Sequence, residues 1–167
     1  MISNKEVKRT FKIFLDSNRA NSFSGGLFNA NYYIDLTHII FNDNDFNKSY
    51  YMYISFVSRP STDIGASGLD LSNVYTLHID MGKGLNIYQF NQVKNVSAIV
   101  PTSYIPTVAP LAYFNLTDNL QKPVFIQDIR NISYITLNLI NTTNNATFSP
   151  NTPANFSYVC SLTFIEA

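Results

Sequence analysis

Two histidines, His38 and His78, and one cysteine, Cys160, are the whole stock of side chains able to act as base or thiolate near neutral pH. His78 lies in VYTLHID between Leu77 and Ile79, where it reads as a packed or edge histidine of a strand. Cys160 alternates with Tyr158 and Leu162, the pattern of a small buried hydrophobe. A Cys–His dyad needs both groups adjacent and a third group to orient the base, and the spacing supplies neither. Asp70, Asp80, Asp118, Asp128 and Glu166 could in principle supply a carboxylate pair for acid–base work, but nothing in their spacing places two of them together. Asp43, Asp45 and Asn47 in FNDNDFNK copy the opening of an EF-hand loop. The loop then needs Gly where Lys48 stands and Glu where Ile54 stands, so the EF-hand reading fails. An Asx-rich turn is the plain reading there, with an irregular Ca²⁺ site near Asp43–Asn47 as the alternative. Gly82-Lys83-Gly84 lacks the glycine spacing and the helix of a phosphate loop. Two histidines far apart do not make the metal cluster of a cupin. The sequence therefore names no catalytic, cofactor-binding or metal-ligating residue, and the expectation is a protein that is not an enzyme.

Composition narrows the partners. Lys and Arg number 11 and Asp and Glu 11, giving a formal net charge of zero. A neutral chain lacks the basic stripe that nucleic acid requires, so no nucleic-acid partner is expected. The one basic cluster, Lys5, Lys8, Arg9 and Lys12, reads as the solvated start of a strand, with a phosphate-binding arm as the alternative. The opening MISNKEVKRTF has no apolar centre, so no secretory signal is expected. No apolar run approaches the ~20 residues of a spanning helix, so no membrane span is expected either. A lone Cys160 excludes an internal disulfide framework. The sequons at Asn47, Asn95, Asn115, Asn131, Asn141, Asn145 and Asn155 read as by-products of abundant Asn, Ser and Thr. The protein is expected to be unglycosylated and made in a reducing compartment.

The elements that would position any site are strands. Aromatic residues reach 14%, all of them Phe and Tyr, while Asn, Ser, Gly and Pro punctuate the chain. Residues 1–8 are expected to form a loose arm. Arg9–Ser17 reads as a strand with Phe11, Ile13 and Leu15 opposed to Lys12 and Phe14. NRANSFSGG reads as a loop, and Leu27–Thr37 as the second strand. Tyr50–Ser58 is apolar on both faces, which predicts a central strand covered on each side. Arg59–Ser72 reads as an exposed loop, Val74–Asp80 as a strand, and LNIYQF with VKNVSAIVP as a bent strand pair. Pro101–Pro110 holds three prolines and makes a poor central strand. Leu111–Thr117 and Pro123–Asp128 read as short strands around a DNLQ turn.

The last segment, Asn131–Ala167, reads as a closing hairpin. Its first strand puts Ile132, Tyr134 and Thr136 on one face and Ile135, Leu137 and Leu139 on the other. An Asn/Thr/Pro loop follows, then a strand with Phe156, Tyr158, Cys160, Leu162 and Phe164 on one face. Eight to ten strands, no helix and no repeat predict a single all-β domain over 1–167. Eight principal strands fit a jelly roll, two packed antiparallel sheets; an immunoglobulin-like sandwich would show a Cys–Trp–Cys core.

The opening FKIFLDSNRANSFSGGLFNANYYIDL resembles the start of small capsid proteins of virophages, polinton-like viruses and large DNA viruses. In those proteins an aliphatic strand runs into a turn, formed here by Asp16, Ser17, Asn18 and Arg19, then a polar loop and a second strand. VKNVSAIVPTSYIP and the final strand–loop–strand are similar to their later segments, so loose likeness covers most of the chain. The resemblance implies a single jelly roll serving as a penton or minor capsid component. It implies a homopentamer at the five-fold vertex, other capsid proteins as partners, and a place in the virion after synthesis in the host cytoplasm. The alternative is a binding module, a spike or fibre head or a carbohydrate-binding jelly roll, with recognition carried by the Asn/Thr/Pro loop and Arg59–Ser72.

Overall fold

The computed structural model describes residues 8–17, 22–23, 29–36, 48–59, 75–81, 87–89, 92–94, 96–100, 102–105, 111–117, 123–127, 129, 132–142, 147–148 and 157–167. His38, the Asp43–Asn47 turn, Gly82-Lys83-Gly84, Asp70, Asp118, Asp128, residues 1–7 and most of both recognition loops lie outside them.

Thirteen strands account for the order among the described residues. They are β1 (Thr10–Asp16), β2 (Ser22–Phe23), β3 (Asn29–Tyr33), β4 (Ser49–Ser58), β5 (Tyr75–Asp80), β6 (Ile87–Gln89) and β7 (Gln92–Lys94). β8 (Val96–Val100), β9 (Thr102–Ile105), β10 (Leu111–Leu116), β11 (Val124–Gln127), β12 (Tyr134–Asn141) and β13 (Tyr158–Glu166) complete them. One sheet has the order β1-β13-β4-β10-β9, with β11 also on β4; the other runs β2-β3-β12-β5-β8. The short β6–β7 pair is hydrogen-bonded into neither sheet. All pairings are antiparallel, and the two sheets pack as a β-sandwich.

The pairing is nested. β1 joins β13, β3 joins β12, β4 joins β10 and β11, and β5 joins β8. Successive pairs alternate between the two sheets. The terminal segment is therefore not a hairpin: β12 lies between β3 and β5, and β13 between β1 and β4. The long connection lets the chain cross the sandwich, so each apolar face reaches the core from its own side. After β12 the chain turns back briefly, with Phe148 N–H donating to the Leu139 carbonyl at 2.7 Å. Ile132, expected on the face of Tyr134, precedes the strand and is buried.

β4 departs from expectation in a second way. It is central, with neighbours on both edges, but only one of its faces is covered. Tyr50, Met52, Ile54, Phe56 and Ser58 point inward, while Tyr51 and Val57 are exposed. β10 and β11 also differ from the expected pair around a turn. They lie end to end along β4, with β10 meeting Val57 and Phe56 and β11 meeting Met52 to Ser49. They act as one interrupted strand. β2 falls inside the expected NRANSFSGG loop, and β3 is shorter than the Leu27–Thr37 strand. β9, flanked by Pro101 and Pro106, takes the sheet edge, where missing donors do least harm.

One buried cluster joins the inner faces. At one end Phe114 meets Tyr75 and Phe148 edge-on, with ring centroids 5.1 and 5.5 Å away. At the other Phe11 stacks on Phe164 at 4.6 Å, with Tyr50 edge-on to Phe11 at 5.4 Å. Each such buried ring contributes about 1.5–3 kcal/mol through burial. Edge strand β1 is clipped at its start. Arg9 N–H donates to the Glu166 carboxylate at 3.1 Å, and Glu166 N–H donates to the Arg9 carbonyl at 2.9 Å. Lys48 reaches the same carboxylate at 2.7 Å.

Candidate functional site

Among the described residues, those weighed for chemistry do not converge. Cys160 is fully buried on β13, against the inner face of its sheet, as its alternation predicts. His78 lies half-buried on the outer face of β5, in the other sheet. Asp80 is exposed at the end of β5, and Glu166 is engaged by Lys48 and Arg9. Among the described residues no group of three His, Cys, Asp or Glu side chains could hold a metal. None of their helices is long and apolar enough to cross a membrane. Asn141, a sequon asparagine, is buried on the inner face of β12, where a glycan would not fit.

Among the described residues, a polar link crosses the core between the inner faces. The hydroxyls of Tyr32 on β3 and Tyr158 on β13 hydrogen-bond to each other, tying one sheet to the other. Burial pushes the Tyr32 phenol up from 10.0 to about 12, and the bond to Tyr158 offsets part of that. Burial raises Tyr158 further, and its bond to Tyr32 adds to the rise. Both stay neutral at physiological pH, as a structural pair should. Ser17 supports the same corner, its hydroxyl accepting from Tyr158 N–H at 3.2 Å.

The outer faces differ from each other. On the six-stranded sheet, alternation turns Phe14 of β1, Val159 of β13, Tyr51 and Val57 of β4, and Phe125 of β11 toward solvent. Their exposures run from 40% at Tyr51 to 66% at Phe14. Val159 sits directly opposite Val57, and Tyr51 opposite Phe125 with ring centroids 5.5 Å apart. Lys12 places its ammonium 5.3 Å from the Phe14 ring centre. Large apolar side chains gathered on a solvated sheet face mark a contact surface more often than an accident.

On the five-stranded sheet the outer rows of β3, β12 and β5 mix polar residues with the exposed Tyr33 and Tyr134, and Ile99 of β8 is exposed beside Thr76. Tyr33 of β3 faces Tyr134 of β12; beside them Thr136 lies between Asn31 and Asp80. Thr136 Oγ1 donates to Asn31 Oδ1 at 2.5 Å. The next row sets Asn138 opposite His78, and His78 Nε2 lies 3.1 Å from Thr76 Oγ1. Thr76 Oγ1 also donates to the Ile140 carbonyl at 3.4 Å, which uses its one proton.

Neither face could be named from sequence. Strand alternation gives the side of each residue, but only the pairing register says which outward residues become neighbours. The signal that was available is the apolar residue on the wrong beat: Phe14, Tyr51 and Val57 sit where a solvated sheet needs polar side chains. No protein-family model, no curated protein and no solved structure matches this chain.

Proposed function

We propose that the chain is a structural subunit of a viral shell, a penton-like vertex or minor capsid component. It works by contact with copies of itself and with other shell proteins, within the virion, after synthesis in the host cytoplasm. The observation that carries the reading is the apolar outer face of the six-stranded sheet, with Phe14, Tyr51, Val57, Phe125 and Val159 turned outward. A chain with only 13% charged residues has little else to keep such a face solvated, and a second subunit would cover it.

The strand order supports the same reading. β1-β13-β4-β10 opposite β3-β12-β5-β8 is the order that winding a long antiparallel ladder into a jelly roll produces. That is the fold the capsid resemblance implies. A five-fold ring needs one heterologous contact that closes by rotation. Each contact would bury about 1,500 Å² or more. Negative-stain electron microscopy of the purified protein is the test. Closed rings of five are expected. Three-fold particles would point to a spike or fibre head, and isolated monomers at every concentration would contradict the shell reading.

A further inference from the structure

We propose that the open edge of β1 pairs with β1 of a second copy of this chain, antiparallel about a two-fold axis, with Phe14 opposite Phe14 and Lys12 opposite Asp16. The inference goes beyond the shell reading and does not rest on it, since a two-fold contact joins two free chains as well as two rings.

Main-chain hydrogen bonding defines the edge. Among the described residues β13 pairs with one side of β1 and no strand pairs with the other. Glu166 N–H donates to the Arg9 carbonyl, so the odd-numbered residues of β1 turn their N–H and C=O groups toward β13. The even-numbered residues turn theirs away. At Thr10, Lys12 and Phe14 nothing among the described residues bonds those outward groups. The side chains of the three are exposed as well, Phe14 at 66%. An edge with a row of open donors and acceptors is a template for another strand. Lys12 on that edge repels a strand that presents a cation there, so it filters partners.

Charge selects the register. In an antiparallel pair, outward-bonding residues oppose outward-bonding residues, so β1 meets its own copy only in steps of two residues. Lys12 opposite Lys12 would set like charges face to face. Lys12 opposite Phe14 would add little, because Lys12 already lies 5.3 Å from the Phe14 ring centre of its own chain. Phe14 opposite Phe14 brings Lys12 against the second copy's Asp16 on each side of the axis, so an aromatic pair is flanked by ion pairs. Asp16 enters only through its charge and keeps contacts of its own in the folded chain. The same register sets Ile13 against the second copy's Leu15 on the inner face, where both are buried, and so carries the core up to the joint.

A single added strand buries less than the ~1,200 Å² of a stable interface. The contact is therefore weak in dilute solution and fills where copies are concentrated.

The test is disulfide trapping of the full chain at high protein concentration under mild oxidation, read on non-reducing gels. Cys160 is fully buried and does not compete. Phe14→Cys should give a covalent dimer, because directly opposed Cα atoms lie about 5.5 Å apart, within disulfide range. Lys12→Cys should not, because position 12 and its copy then stand roughly 14 Å apart. Adding Lys12→Asp to Phe14→Cys should cut the yield about tenfold, and a further Asp16→Lys should restore it by reversing the ion pairs, which excludes misfolding as the cause. Independently of that swap, added salt should lower the Phe14→Cys yield. No dimer from Phe14→Cys, equal trapping at positions 12 and 14, or a yield indifferent to both Lys12→Asp and salt would overturn the proposal. Rings of the parent chain without trapping would sink this contact and leave the shell reading standing; trapping without rings would do the opposite.

Discussion

The two outer faces of this sandwich answer to different demands. On the six-stranded sheet Phe14, Val159, Val57, Tyr51 and Phe125 put apolar surface in water; on the five-stranded sheet Asn31, Thr136, Asp80, Asn138 and His78 set polar groups among the exposed Tyr33, Tyr134 and Ile99. The inner faces show no such contrast, because both must fill the same core. The fold constrains the inner faces and is nearly indifferent to the outer ones. What an outer face carries is therefore closer to a record of use than anything in the core.

The sharpest way to separate inside from outside is stability. Phe114 is fully buried among Phe56, Tyr75 and Phe148, so Phe114→Ala should cost about 3–5 kcal/mol in denaturant unfolding. Phe125→Ala, on the outer face of the same sheet, should change it by less than about 0.5 kcal/mol. Equal costs would mean that the outer face is part of the core.

The Tyr32–Tyr158 link comes next. Tyr32→Phe should cost about 1 kcal/mol, the net worth of the hydrogen bond it removes. A double-mutant cycle with Tyr158→Phe reads the coupling between the two hydroxyls. The pair also sets an alkaline limit. The folded pKa of Tyr32, about 12, is raised above its ordinary 10.0, so the neutral phenol is what the fold favours. That contribution is complete below pH 10 and is lost as pH rises through about 12. Unfolding followed from pH 8 to 12 should show the loss, and Y32F/Y158F should flatten it.

A smaller effect on stability, and a large one on assembly, is expected from Phe125→Asp. Charge on the apolar face should lower the oligomer mass seen in sedimentation velocity while unfolding shifts by about 0.5 kcal/mol or less. The smallest effect is expected at the β1 clip. Lys48 and the Arg9 N–H hold the Glu166 carboxyl below its usual range. Its contribution is therefore present above the ordinary carboxylate pKa and is lost as pH falls through the depressed one. The group is largely open to solvent, so Glu166→Gln should cost no more than about 1 kcal/mol at pH 7 and nothing at pH 2. A cost that persists at pH 2 would mean the carboxylate charge is not what the clip uses.

Much of the architecture was legible because strands announce themselves by alternation. Ile13, Leu15, Ile135, Leu137, Leu139, Tyr158, Cys160, Leu162 and Phe164 all point inward as their spacing requires. What stayed hidden depends on pairing. The chain from Asn131 onward has the local signature of a hairpin, yet β12 and β13 belong to opposite sheets. Alternation reports which way a residue faces and not which strand lies beside it. β4 shows the same limit from another side. Tyr51, Tyr53 and Val57 make it look covered on both faces, but a sandwich covers one, and Tyr51 and Val57 stay exposed. The Tyr33–Tyr134 pairing was hidden for the same reason, since the two are about a hundred residues apart in sequence and meet only through register.

The most direct test of the shell reading is the mass of the purified chain by light scattering behind a sizing column, across a range of concentrations. The account predicts an assembly of five times the 18.9 kDa chain mass. A species that stays at 18.9 kDa at the highest concentration would contradict it, and the apolar face would then need an occupant other than this chain.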